Sequence, residues 1–252
     1  MKFIEEELNE VKRHGRHIFL VILSMKDGGC IKLPEAYESK CTVLINGLLK
    51  WYSENSSLLN RKWRKDTDIF RSVMTELLLI RTRREAVENI YDVFFSKFRS
   101  PEDILRASKE DLEKAVYSLG MRKRVLLLKR AAAYLKEHEI RSPEDIDGLP
   151  GAGEYVKSIL KLKLFNKGNT AVDRNGARVL FRYFYGYVPD VEKLEKCKEV
   201  ERIRKECLDF YDDKLTLSYA LMDLGYYVCK PRKPECNKCP LKDTCKYARG
   251  TL

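Results

Sequence analysis

A chain of 252 residues is long enough for one large domain or two small ones. Hydrophobic residues make up 44%, enough for a real core and too many for a disordered chain. The formal net charge of +11, from 49 basic and 38 acidic residues, points to a polyanionic partner, of which nucleic acid is the commonest. No apolar run reaches membrane-spanning length. The best, HIFLVILSM ending at Met25, is too short and lacks a signal-peptide cleavage pattern, so an intracellular protein with no membrane partner is expected. In that setting the eight cysteines are read as thiols or metal ligands rather than disulfides. Glutamine is absent while Lys, Arg and Glu abound, a bias that fits a heat-adapted source.

Taken in chain order, residues 1–42 form an extension of unknown role. It contains a turn-like KDGGC and one candidate strand at 18–23. Residues 68–98 carry apolar groups at three-to-four spacing and read as helix. RSPEDI follows at 99–104 and again at 141–146. Each copy presents Ser as helix cap, Pro in the first turn and acidic groups at the positive end. Gly120 and the pair Gly151 and Gly153 mark further breaks. The fold class is all-α.

LPGAGEYVKSIL runs from Leu149 to Leu160. The glycines let the backbone bend closely, and a helix is expected to start at about Glu154. Such a hairpin aims backbone N–H groups outward, where a DNA phosphate can accept them; a purely structural glycine turn is the alternative. About twenty residues on, TAVDRNGARVLFRYF places Asp173 at an expected helix start. That carboxylate is either a simple cap or a catalytic group that stabilises an oxocarbenium-like state during glycosidic cleavage.

Near the C-terminal end, Cys229, Cys236, Cys239 and Cys245 form C-x6-C-x2-C-x5-C. Four thiolates this close in sequence can converge on one centre, and both tetrahedral zinc and a four-iron four-sulfur cluster accept the set. Between the first two, KPRKPE offers Lys230, Arg232 and Lys233 for phosphate contact, or as a solvated basic loop. Cys30, Cys41, Cys197 and Cys207 show no such spacing and are read as buried apolar residues or free thiols.

The order glycine hairpin, aspartate, cysteine loop resembles the helix-hairpin-helix DNA glycosylase superfamily, which includes endonuclease III. The resemblance covers about residues 43–247. It implies a four-iron four-sulfur cluster rather than zinc. It also implies two helical domains with a DNA-binding groove between them. One is a six-helix barrel at 68–168 that carries the helix-hairpin-helix; the other is a cluster domain joining 43–67 to 169–252. The implied partner is double-stranded DNA with a mispaired or damaged base, bound by a monomer.

Two positions refine the resemblance. Endonuclease III-like enzymes carry a Schiff-base lysine where Tyr155 stands, and a phenol forms no Schiff base, so a monofunctional enzyme using water is implied. Lys157 lies two residues further round the helix. Glu76, in TELLLIRTRREAVENIYDVFF, resembles a glutamate shared by adenine mismatch glycosylases and archaeal thymine–guanine mismatch glycosylases. Tyr155 and the VDxN at 172–175 agree with the latter. The chain ends seven residues after Cys245, without the further domain usual in adenine enzymes. Hydrolysis of thymine or uracil opposite guanine is therefore the expected reaction. An adenine glycosylase, a glycosylase with strand cleavage and a zinc-held DNA-binding module are the alternatives.

By the same resemblance Asp173 stabilises the sugar cation and orients water. Glu76 meets the polar edge of the base and Tyr155 stacks on the everted pyrimidine. Arg81 and Met121 fill or wedge the vacated stack, and Asn175 touches backbone or the orphan guanine. Lys157 and Gly176 depart from the family pattern and raise a question about local packing.

Overall fold

The computed structural model describes residues 35–120 and 123–251. The strand and turn expected within 1–34 lie outside the described residues. Backbone contacts divide the chain into two compact units, one of 55–171 and one joining the stretch up to Glu54 with that from Val172 onward. Residues 55–67 thus stand with the central unit rather than with the C-terminal part. The physical reason is Trp63, which is buried among the central unit's apolar side chains. Among the described residues there is no strand.

The first element, α1 (Glu35–Glu54), belongs to the second unit. The central unit opens with the short α2 (Ser56–Leu59) and a 3-10 turn at Lys62–Arg64. Next come α3 (Ile69–Leu79), α4 (Arg84–Lys97), α5 (Pro101–Arg106) and α6 (Lys109–Val116). After a 3-10 turn at Tyr117–Leu119, α7 (Arg124–Glu137) and α8 (Glu154–Phe165) complete it. Three helix starts are capped as the side chains dictate. Asp68 accepts the Arg71 N–H at 2.7 Å, Ser100 that of Asp103 at 3.4 Å and Ser108 that of Asp111 at 3.0 Å. Helix α3 is buried from Ser72 to Leu78 and packs on α4, α7 and α8. Tyr91, Phe94 and Phe95 of α4 close the core with edge-on ring contacts. Each such buried side chain contributes about 1.5–3 kcal/mol.

The helical stretch expected at 68–98 is two helices, not one. Arg81 adopts a left-handed φ of 53°, and buried Arg124 takes the carbonyls of Leu77 and Leu78, both at 2.8 Å, which ends α3. The two RSPEDI copies also diverge. In both, the aspartate carboxylate reaches back to the preceding arginine N–H, at 2.9 Å from Arg99 to Asp103 and 2.9 Å from Arg141 to Asp145. The first copy continues as α5. The second gives a 3-10 helix, Pro143–Gly148, because the Tyr134 hydroxyl donates to the Asp145 carbonyl at 2.7 Å and Leu149 N–H turns instead to Ile146.

The second unit holds α9 (Arg174–Tyr185), α10 (Lys198–Ile203) with a π-turn at Arg204–Leu208, α11 (Lys214–Tyr227) and α12 (Lys246–Thr251). Helix α9 packs on α11 and α12, and α11 packs on α1. One expectation is corrected here. Cys41 on α1 and Cys207 in the π-turn are joined by a disulfide, with Cα atoms 5.4 Å apart and a sequence separation of 166. Both are buried, and only the packing of α1 against the π-turn brings them together. Cys197 is a free thiol, and Cys30 lies outside the described residues.

Candidate active site and cysteine loop

The hairpin follows the 3-10 turn as its residues require. Leu149 is buried, and Gly151 adopts φ 75°, where a Cβ would stand 2.0 Å from Leu127 Cδ1. Gly153 precedes the first residue of α8, which is Glu154 as the sequence indicates. Gly151 and Gly153 are exposed, and the α8 N-terminus presents backbone N–H groups there. Tyr155 is half-buried and packs against the central core. Lys157 does not project freely, since its Nζ donates to the Asp147 carbonyl at 2.8 Å. Lys161 holds the Asp147 carboxylate, also at 2.8 Å. The Lys157 departure is thus accommodated by a tie across the hairpin.

Glu76 sits within α3 and is 3% exposed. Burial pushes its carboxyl up to about 7, against the opposing charges of Lys163, Arg64 and Arg84. Its Oε2 has no hydrogen-bond partner among the described residues. Lys163 is drawn down by burial, and its Nζ donates to the Trp63 carbonyl at 2.5 Å. A buried carboxyl near 7 can keep or give up a proton at neutral pH, the property asked of a general acid.

In the second unit, Asp173 caps α9. Its Oδ1 accepts the Gly176 N–H at 2.7 Å and its Oδ2 accepts Asn175 Nδ2 at 2.8 Å. The side chain is half-buried, fixed in one orientation, and placed at the positive end of a twelve-residue helix. Capping and a catalytic role are compatible, because a carboxylate offers about four acceptor positions and the cap bond fills one of them. Gly176 answers its own departure from the pattern. A Cβ there would stand 3.1 Å from Leu221 and 3.3 Å from Val172, so the small residue lets α9 sit close to α11.

Behind Asn175 lies a feature the sequence reading missed. Arg178 donates Nη2 to Asn175 Oδ1 at 2.9 Å and to the Gly225 carbonyl at 2.7 Å, and Nε to the Cys229 carbonyl at 2.8 Å. One turn on, Arg182 donates to Cys229 Sγ at 3.3 Å and to the carbonyls of Lys230 and Pro231 at 2.7 and 2.8 Å. Both arginines are buried. Arg178 and Arg182, one turn apart amid the apolar second half of the helix, were the available signal.

The four cysteines of the loop are half-buried free thiols. Among the described residues no three His, Cys, Asp or Glu side chains are grouped as a single metal ion requires. The four thiols nevertheless lie within one another's electrostatic reach. Burial pushes the Cys239 thiol up to about 12 and raises those of Cys236 and Cys245. Four thiolates here would need a cationic centre to offset that cost. Lys230, Arg232 and Lys233 are exposed. Lys230 pairs with Glu235, which also pairs with Lys238 at 2.8 Å, and these two lysines hold the glutamate down at about 2. Arg81 is exposed, and Met121 lies outside the described residues.

A glycine hairpin running into a helix, a capping aspartate at the next helix and a four-cysteine loop define a helix-hairpin-helix base-excision protein. The model of the HhH-GPD superfamily of base excision DNA repair proteins matches residues 74–209, and the chain belongs to that family. It is 31% identical over 224 residues to a thymine/uracil-DNA glycosylase of Methanothermobacter thermautotrophicus, covering 85% of this chain and 97% of the relative. Its fold matches a thermostable thymine-DNA glycosylase with a TM-score of 0.75 at 29% identity, covering 86% of this chain and all of that one. It also matches an endonuclease III in a trapped DNA covalent intermediate, with a TM-score of 0.70 at 20% identity, over 87% of this chain and 99% of that one, a likeness of fold alone.

Proposed function

We propose that this chain is a monofunctional DNA glycosylase of base excision repair that hydrolyses the bond between deoxyribose and thymine or uracil mispaired with guanine. The observation that carries the reading is Asp173, a half-buried carboxylate held by Gly176 and Asn175 at the start of α9. In the reaction the base–C1′ bond breaks, positive charge develops on the sugar, and the oxygen of water bonds to C1′. Asp173 stabilises that charge and accepts the water's proton. Glu76, whose carboxyl titrates at about 7, supplies a proton to the departing base. Tyr155 stacks on the everted pyrimidine, Asn175 meets the DNA strand, and Arg81 and Met121 take the vacated space. Tyr155 at the lysine position and the tie of Lys157 to Asp147 support hydrolysis without strand cleavage.

Exposed Gly151 and Gly153, with Lys230, Arg232 and Lys233, serve as phosphate contacts. Cys229, Cys236, Cys239 and Cys245 would hold a four-iron four-sulfur cluster, which supplies a rigid anchor for the basic loop. The domains follow the same reading, a helical barrel with the hairpin and a cluster domain, acting as a monomer.

The test is a panel of duplexes carrying T·G, U·G and A·G, followed by alkali. Release of thymine or uracil is expected, with no strand breaks before alkali. Asp173→Asn should abolish release while duplex binding survives, because asparagine caps a helix as well as aspartate does. Release of adenine alone, or full activity in the variant, sinks the reading. A brown protein with iron and sulfide is expected, and a colourless one with stoichiometric zinc contradicts the cluster.

A further inference from the structure

The guanidinium of Arg124 is fully buried at the start of α7, yet among the described residues no carboxylate pairs with it. Its partners are oxygens from two separate segments. Nη1 donates to the carbonyls of Leu77 and Leu78 at 2.8 Å each. Nη2 donates to the Ile80 carbonyl at 3.1 Å, to Thr82 Oγ1 at 2.6 Å and to the Leu119 carbonyl at 3.4 Å. A single nitrogen is thus surrounded by the loop after α3 and the loop before α7. The carbonyls that end α3 form the negative pole of that helix, which compensates the buried cation without an acid.

What the two loops display explains why they are joined. The first carries Arg81 in a left-handed conformation and Arg83, both exposed. The second carries Tyr117, 87% exposed, then Gly120 at φ 67° and exposed Lys123. Cations next to an aromatic left almost wholly in water are the chemistry of a nucleic-acid contact, with charge for phosphate and a ring for bases. An arginine fork reaches both loops at once, which a lysine ammonium cannot do.

We propose that Arg124 is a positioning residue for base extrusion. It fixes the 80–83 and 117–120 loops as one platform that meets the duplex at the mispair. This deepens the glycosylase reading and rests on it. The expected signature is selective: pairs that must be opened suffer, while a base already unpaired does not.

The experiment measures single-turnover release of uracil from U·G and from uracil facing an abasic site, with wild type, Arg124→Lys and Thr82→Val. Thr82→Val is isosteric, removes one Nη2 acceptor and leaves the carbonyl acceptors of Arg124 in place, so it keeps the test valid if Arg124→Lys folds poorly. Losing a charge-assisted bond that fixes the platform should slow U·G release by about tenfold. Release opposite the abasic site should stay near wild type. Fluorescence of 2-aminopurine beside the mispair should rise less in both variants at saturating protein. Equal losses on both substrates would mean a structural role only, and unchanged U·G rates would also overturn the proposal. A wild-type chain that releases no base from either substrate would instead overturn the glycosylase reading and this inference with it.

Discussion

Gly225 and Asn175 touch backbone to backbone: a Cβ on Gly225 would stand 2.6 Å from the Asn175 carbonyl oxygen. The contact sets how closely α11 lies beside α9, and Arg178 bridges the same two residues. Asn175 in turn holds Asp173. The orientation of the candidate catalytic carboxylate therefore depends on a glycine fifty-two residues away in sequence.

Gly225→Ala should accordingly impair chemistry more than stability. The clash is with backbone, so no rotamer relieves it, and overpacking costs about 1–3 kcal/mol. Alanine returns up to about 1 kcal/mol in helix propensity. A small drop in melting temperature with a large drop in single-turnover base release is expected. A variant with wild-type release would show that α9 tolerates the displacement without moving Asp173.

The glycine hairpin offers a second test. Gly151→Ala meets two obstacles, φ 75° and a contact of 2.0 Å with Leu127 Cδ1. Only the second is relieved by trimming Leu127. The left-handed backbone costs about 1–2 kcal/mol, or roughly 2–8 °C in melting temperature for a chain of this size. The double variant Gly151→Ala, Leu127→Ala should recover the steric part and keep the backbone part. Duplex affinity, measured by titration at fixed salt, should fall in both.

These residues also mark what the sequence could and could not reveal. The hairpin, the helix start at Glu154 and the capping by Asp173 were legible because each depends on neighbours within a few positions. Arg124 reaches a carbonyl 47 residues away and Arg178 one 51 away, and no local pattern encodes either partner. At Arg81 the polar run from Arg81 to Glu85 was the one local sign of a break; that α3 ends there because Arg124 claims its carbonyls was not legible. The second RSPEDI misled because its helix is cut short by Tyr134. Lys157 and Gly176, read as questions, are settled by Asp147 and Leu221.

The Cys41–Cys207 bond gives a third prediction. It joins the two chain segments of the second unit and closes a loop spanning 166 positions that includes the whole central unit, and such links typically stabilise by about 2–4 kcal/mol. Alkylation of the unfolded, unreduced protein should leave these two cysteines unlabelled by mass spectrometry. The double variant Cys41→Ser, Cys207→Ser should melt lower than wild type while retaining the colour of any bound cluster. Labelling of both thiols without reductant would exclude the bond.

Glu76 yields a pH dependence with a definite sign. Its carboxyl is raised from 4.5 to about 7 by burial, so the folded state holds the proton more tightly than the unfolded chain does. The linked contribution to stability is fully present below about 4.5 and is lost as pH rises through about 7. The shift corresponds to roughly 3 kcal/mol. Glu76→Gln keeps the shape and removes the titration. Its melting temperature should therefore exceed that of wild type at pH 8.5, with the gap closing by pH 5. Release of base by wild type should decline through the same range if the protonated form acts as the acid, and the decline should vanish in the glutamine variant, whose rate is low throughout. A wild-type stability curve that runs parallel to that of Glu76→Gln across this window would place the carboxyl in water rather than in the core of α3.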